Sequence, residues 1–188
     1  MSKEIIIVTI SLGNDGAERI LTELARQWHQ DGHKITVIQT SPNRYGTEYA
    51  LPEGIEQIQI HTTSSNKIIR FLQEIKVLIG ILKKRPRATC LSFLSASSFI
   101  LAISSWFVKN RIVFSERNNP RKVPVGKHQQ MLRDFAFNFA DAIVFQTEDA
   151  KSYFSHTIQS RGHIIPNPIN GNLPEPYEGE RDKTIVTA

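Results

Sequence analysis

Seven short apolar runs alternate with helix-like stretches along the chain. The first, Glu4-Ile5-Ile6-Ile7-Val8-Thr9-Ile10, is β-branched and apolar on both faces, the pattern of a central strand in a parallel sheet. Ser11 to Asp15 follows as a loop with Gly13, and Gly16 stands at its end. Ala17, Ile20, Leu21, Leu24, Ala25 and Trp28 then recur at helical spacing and give one apolar face. Asp15 with Glu18 three residues later resembles a capping box, and Gly32 ends the helix. Ile35 to Gln39 is the next strand, so the first forty residues form one β-loop-α-β unit.

The alternation continues. Ile55 to Ile60 reads as a strand, and Asn66 to Lys84 as a long helix with the stripe Ile68, Phe71, Leu72, Ile75, Leu78, Ile79 and Leu82. Lys83, Lys84 and Arg85 suit the negative end of that helix, and Pro86 stops it. Strands are expected at Ala88–Phe93, Arg111–Ser115, Ala142–Phe145 and His163–Ile165. Helices are expected at Ser98–Val108, at Gly126–Phe139, and from a Thr147 cap to about Ser155. Strands alternating with helices imply an α/β, Rossmann-like parallel sheet with helices on both faces. From Pro166 the chain turns rich in Pro and Gly without periodicity, as a linker does, and Lys183 to Ala188 begins what reads as a further strand.

Ala88 to Val108 is a charge-free stretch of 21 residues, and a spanning helix needs about 20 apolar ones. Its six serines, four of them central, favour a buried strand, a Ser-rich turn and a buried helix instead. The chain carries 23 Lys+Arg against 18 Asp+Glu, a net charge of +5 with a pI near 9.4. That balance favours an anionic partner without demanding one. Nucleic acid is not expected, because no RNP, helix-turn-helix or zinc signature accompanies the charge. A single cysteine, Cys90, excludes an intramolecular disulfide and points to a reducing compartment. The apolar run after Met1–Glu4 is shorter than the core of a secretory signal, so no signal is expected.

In open α/β sheets, ligands bind beyond the carboxyl ends of the strands. Three loops there stand out. Gly13-Asn14-Asp15-Gly16 joins the first strand to a helix N-terminus, where backbone N–H groups bind anions. It is neither G-x-G-x-x-G nor a Walker loop, and Gln39-Thr40 rather than an acid ends the second strand, so no nicotinamide fingerprint is present. Ser115-Glu116-Arg117-Asn118-Asn119 follows a strand expected to be central. Arg117 could clamp a phosphate, and Glu116 could accept from a sugar hydroxyl or act as a base. Asn167, between Pro166 and Pro168, could face a ligand. His29 and His33 have an i, i+4 spacing that suits a metal, but Gly32 lies between them and further ligands are missing. The Lys83–Arg87 run reads as a solvated helix end that could also touch anionic lipid, at about 1 kcal/mol per basic residue.

Four segments together resemble family 4 (group 1) glycosyltransferases. They are Gly13-Asn14-Asp15-Gly16-Ala17-Glu18-Arg19-Ile20-Leu21, Ser115 to Pro120, Asp141-Ala142-Ile143-Val144-Phe145-Gln146-Thr147, and Ile164-Ile165-Pro166-Asn167-Pro168-Ile169, in the family's order. The resemblance implies half of a GT-B fold, in which two Rossmann-like domains face each other across a cleft. It makes residues 1–169 the acceptor-side domain, 170–182 a linker, and 183–188 the start of a truncated C-terminal nucleotide-sugar domain. It places Gly16 near the donor phosphates or acceptor, and Glu116 and Arg117 near the transferred sugar or acceptor. Gly13, Asn14, Asp15, Asn118, Asn119 and Asn167 complete the expected substrate-binding set, with Glu116 as the catalytic candidate. Many relatives carry a histidine at the position of Glu116. No Asp-x-Asp is present, so no metal or other cofactor is expected, and the nucleotide-sugar is a substrate.

The implied function is retaining sugar transfer to a lipid-linked or saccharide acceptor in cell-surface polysaccharide synthesis. The expected setting is cytoplasmic, with peripheral contact on the inner membrane face. The family's Glu-x7-Glu donor motif belongs to the second domain, so this half alone is expected to be inactive. The alternative is a non-catalytic Rossmann-like binding or regulatory module, which a continuation into that motif would exclude.

Overall fold

A computed structural model describes residues 2–13, 16–40, 49–93 and 95–167 of the chain. The expected linker at 170–182 and the strand at 183–188 lie outside the described residues. Seven parallel strands form one sheet in the order β3-β2-β1-β4-β5-β6-β7. They are β1 (Glu4–Thr9), β2 (Lys34–Gln39), β3 (Glu56–Gln59), β4 (Thr89–Ser92), β5 (Arg111–Glu116), β6 (Ala142–Phe145) and β7 (Gly162–Ile164). The order reverses between β1 and β4, whose registers run Ile5↔Thr89 to Val8↔Ser92. This reversal opens a crevice at the carboxyl edge of the sheet.

Side-chain alternation along the strands builds two cores. Helix α1 (Gly16–Gln30) covers one face and buries Ile20, Leu21 and Ala25 against Ile7, Ile35 and Val37. The other face carries α2 (Lys67–Lys83), α3 (Ser95–Ser105), α4 (Lys127–Phe137), α5 (Glu148–Ser152) and α6 (His156–Gln159). There Ile6, Val8, Phe114 and Phe145 pack against Leu78, Leu101, Phe137 and Phe154. Helices therefore lie on both faces, as expected. On the α1 side a groove of about 740 Å³ runs over the β4–β7 half, floored by Leu91, Val113 and Val144 beside Trp28.

The charge-free stretch resolves as β4 and α3, and among the described residues no helix is long and apolar enough to cross a membrane. Ser92, Ser97, Ser98 and Ser104 bond to one another or to backbone. The Ser92 and Ser97 hydroxyls lie 2.7 Å apart, Ser98 Oγ donates to Ser92 Oγ at 3.2 Å, and Ser104 Oγ donates to the Ile100 carbonyl at 2.9 Å. Those local bonds satisfy hydroxyls that the core would otherwise strand. Helix α3 starts and ends three residues earlier than its periodicity predicts, which leaves Trp106 and Phe107 exposed in a turn.

Two further expectations change. The segment from Thr147 is two short helices: Thr147 Oγ1 caps α5 by accepting from Ala150 N at 3.1 Å, and α6 follows after Ser155. In α2 the stripe packs only from Phe71 and Ile75 onward; Ile68 is 71% and Leu72 58% exposed. Periodicity identifies the apolar face of a helix but not how far the body beneath it extends. The Lys83–Arg87 run lies at the opposite edge of the sheet from the crevice, where Arg85 pairs with Glu56 at 2.8 Å and with Glu4 at 3.7 Å.

Candidate functional site

At the carboxyl edge, a crevice of about 510 Å³ is lined by Gly16, Ala17, Arg19, Ile20, Arg117, Asn118, Gln146 and Asn167. Its lining comes from the start of α1 and from residues just past β5, β6 and β7. Gly16 is exposed, and a Cβ placed there would meet no atom within 4 Å. Helix α1 is 15 residues long, and its first backbone N–H groups have no intrahelical partner. They point positive charge toward this edge.

Arg117 is the principal cation of the site. Its Nη2 donates to Asn167 Oδ1, and Gln146 Nε2 donates to the same oxygen at 3.2 Å. Its guanidinium lies over the Phe93 ring, 5.3 Å from the centroid. Burial draws its pKa below the ordinary arginine value, and its Nε is buried without a partner among the described residues. A guanidinium has five N–H donors, so most of this one is left for a ligand. Arg19 adds a second cation, and among the described residues no carboxylate lines the crevice. The arrangement suits an anion with several acceptor oxygens.

Strand β5 explains why Glu116 is not part of this lining. Consecutive strand residues face opposite sides, so Arg117 joins the α1 side and Glu116 the α4 side. Glu116 is 4% exposed. Its Oε1 accepts from Asn118 N at 3.0 Å, and its Oε2 lies 3.7 Å from Arg133 Nη1. Burial pushes its carboxyl up to about 7, against the opposing pull of the Asn118 N–H and Arg133. The folded protein therefore holds a proton here that the unfolded chain, with a carboxyl near 4.5, has released. Stability from this group falls as pH rises from 4.5 to 7 and is flat on either side. The Glu116→Gln variant is expected to lose that slope. The difference between the two urea-unfolding free energies should change by roughly 3 kcal/mol at most across the window. An unchanged difference would mean that the carboxyl titrates normally.

Arg133, which the sequence reading overlooked, organises the loop that presents Arg117 and Asn118. It is fully buried. Its Nη1 donates to the carbonyls of Pro120 at 3.0 Å and Val123 at 2.8 Å, and its Nε to Asp134 Oδ1 at 2.9 Å. Its guanidinium also lies 5.0 Å from the Tyr153 ring centroid and 4.9 Å from that of Phe154.

Of the expected set, Gly16, Arg117, Asn118 and Asn167 thus meet in the crevice. Asn14 and Asp15 lie outside the described residues, as does the capping box that used Asp15. Gly13 sits over Glu18, whose Oε1 accepts from Ser11 Oγ at 2.7 Å; a Cβ on Gly13 would come 3.0 Å from Glu18 Oε2. Asn119 shapes the turn instead, accepting from Arg121 N at 3.0 Å. Gln146 and Arg19 are additions. Gln146 could have been found by the rule that picked Arg117, since each directly follows a strand. Arg19 stands three residues after Gly16, on the same helix face. Cys90 is buried in β4, and burial pushes its thiol up to about 12, so it offers no nucleophile at neutral pH. Among the described residues no group of three or more His, Cys, Asp or Glu could hold a metal ion.

The family described as Glycosyltransferase Family 4 matches residues 14–172, from the loop before α1 to just past β7. The chain belongs to Glycosyltransferase Family 4. No curated protein matches it. Among solved structures, this family 4 chain is similar to the lipopolysaccharide outer core galactosyltransferase WaaB in its apo form. The TM-score is 0.69 and the identity 11%, covering 88% of this chain and 46% of that one. It is similar to HepE of Anabaena in complex with UDP, at TM-score 0.66 and 12% identity, covering 89% and 44%. Sucrose-phosphate synthase of Thermosynechococcus elongatus gives 0.66 and 9%, covering 87% and 48%. At these identities the likeness carries the fold alone, which is the GT-B fold of glycosyltransferases. The chain spans about half the length of each.

Proposed function

We propose that this chain is the acceptor-side half of a retaining glycosyltransferase. The whole protein would move a sugar from a nucleotide-sugar to a hydroxyl on a lipid-linked or saccharide acceptor, in cell-surface polysaccharide synthesis and without a metal. The observation that carries this reading is the convergence of Arg117, Asn118 and Asn167 on the N-terminus of α1 across one crevice. Family 4 membership and the GT-B likeness support it. As the bond between the sugar and the diphosphate breaks, negative charge grows on the leaving oxygen. Arg117 and the first α1 amides supply fixed positive charge for it, which lowers the barrier because no dipole has to reorient. The nucleotide itself would be held by a second domain facing this edge.

That division of labour has a direct test. Residues 1–188 alone are expected to transfer no radiolabelled sugar from any of a panel of UDP- and GDP-sugars to a lipid extract. The same residues joined to a nucleotide-sugar-binding half should do so. Full turnover by residues 1–188 alone would overturn the reading.

A further inference from the structure

A second recess of the carboxyl edge lies on the α2–α4 side of the sheet, away from Arg117. It is a groove of about 470 Å³, a size that suits a small ligand. Lys67, Arg70, Phe71 and Glu74 line it from α2 at i, i+3, i+4 and i+7, so one stripe of that helix faces it. Phe99 and Leu132 line it from α3 and α4, and the Phe71 and Phe99 rings stack with centroids 5.7 Å apart. Ile10 and Thr40, just past β1 and β2, also line it. The groove therefore opens at the same edge as the Arg117 crevice, but on the opposite face of the sheet.

Glu74 decides what this groove can hold. It is 8% exposed, and among the described residues its carboxyl accepts no hydrogen bond and faces one cation, Arg70, at 3.9 Å. Burial pushes the carboxyl above its ordinary value, against the pull of Arg70. A buried carboxyl without donors is costly, so a ligand that brings O–H or N–H groups gains where an apolar one loses. An acyl or prenyl chain brings none. A phosphate would meet the Glu74 charge. Of the cations in the lining, Arg70 is matched by Glu74 and Arg133 already donates to the Pro120 and Val123 carbonyls, which leaves the exposed Lys67. A sugar ring fits on both counts. Its hydroxyls donate to the carboxyl, and its C–H face lies against Phe71.

We propose that this groove is a saccharide subsite in which Glu74 accepts from ring hydroxyls and Phe71 carries the ring face. On the acceptor-side reading given above, on which this step rests, the ring held here is not the ring that reacts. The reacting hydroxyl must reach the Arg117 crevice, and the edge of the sheet lies between the two. The acceptor is then an oligosaccharide of at least two units, gripped at one unit while another receives the sugar. Glu74 acts through binding and positioning, not through the chemical step.

The test is saturation-transfer NMR on the 188-residue chain. The probes are mono-, di- and trisaccharides of glucose, galactose, mannose, rhamnose and N-acetylglucosamine, with farnesyl phosphate as the lipid arm. Saccharide binding is expected. It should weaken by roughly tenfold or more in Glu74→Gln, the weight of a hydrogen bond to a charged group. The melting temperature should not fall, because burial already disfavours the charge that the variant removes. Phe71→Leu, which keeps an apolar side chain but loses the flat ring, should weaken binding independently. The proposal is overturned by absence of saccharide binding, by binding that neither variant weakens, or by loss in Arg117→Ala alone, which would put the sugar in the crevice. Farnesyl phosphate bound in place of every saccharide would assign the groove to a lipid and overturn it equally. In this chain joined to a nucleotide-sugar-binding half, a disaccharide acceptor should exceed its monosaccharide in kcat/KM, and Glu74→Gln should remove the difference by raising KM. Equal use of both acceptors would overturn the two-unit requirement. An inactive fusion whose parent chain still binds saccharide through Glu74 would fault the proposed function and uphold the groove.

Discussion

On the proposed function, replacing Arg117 with alanine in this chain joined to a nucleotide-sugar-binding half is expected to lower kcat/KM for sugar transfer by roughly a hundredfold or more, the scale seen when one preorganised charge-stabilising donor is removed. The loss should fall mainly on kcat, because the charge that Arg117 meets grows as the leaving group departs. The fold should be spared. Among the described residues Arg117 forms one side-chain bond, to Asn167, and one ring contact, to Phe93, and it sits at the edge of the core rather than within it. Unchanged kcat/KM with an unchanged melting temperature would remove Arg117 from the site. Arg117→Lys should recover little, since a single ammonium cannot keep the Asn167 bond and offer a planar pair of donors to a phosphate.

Arg133→Met is expected to act on stability instead, with a loss of about 3–5 kcal/mol. The substitution leaves the Pro120 and Val123 carbonyls without their donor, and above about pH 7 it also removes the cation that lies 3.7 Å from the ionised Glu116 carboxyl. Against a typical total of about 5–15 kcal/mol, that loss brings the domain close to unfolding at ambient temperature. Measured above about pH 7, where the Glu116 carboxyl ionises, adding Glu116→Gln should return part of it, because the unpaired buried charge disappears. A coupling of about 0.5–3 kcal/mol from the four-member cycle, read by urea unfolding, is the expected signature. Strict additivity would mean that Glu116 and Arg133 do not sense each other.

Much of this architecture was legible in the residues, for identifiable reasons. β-branched runs such as Ile5–Val8 suit only a strand covered on both sides, and Ile20, Leu21 and Ala25 suit only a helix with one covered side. These local patterns carry the element order. The site was half legible. Arg117 and Asn167 follow strands, and a carboxyl-edge rule finds them.

The pairing of Glu116 with Arg117 as one functional unit came from their adjacency in sequence, whereas the pleat separates them. Arg133 was hidden because Lys127-His128-Gln129-Gln130 before it reads as a solvated helix start; only the packing of Tyr153 and Phe154 over it reveals a buried cation. Ile68 and Leu72 deceived in the opposite direction, since an apolar stripe does not record where its supporting layer stops.

The separation of Glu116 from Arg117 limits how this chain can vary. Strand β5 hands its interior anchor and its ligand arm to opposite sides within a single peptide step. Adding or deleting one residue inside β5 would interchange them, burying the guanidinium and exposing the carboxylate. Point replacements along this strand are therefore survivable in ways that length changes are not, and descendants of this gene should drift in β5 composition while holding its residue count constant.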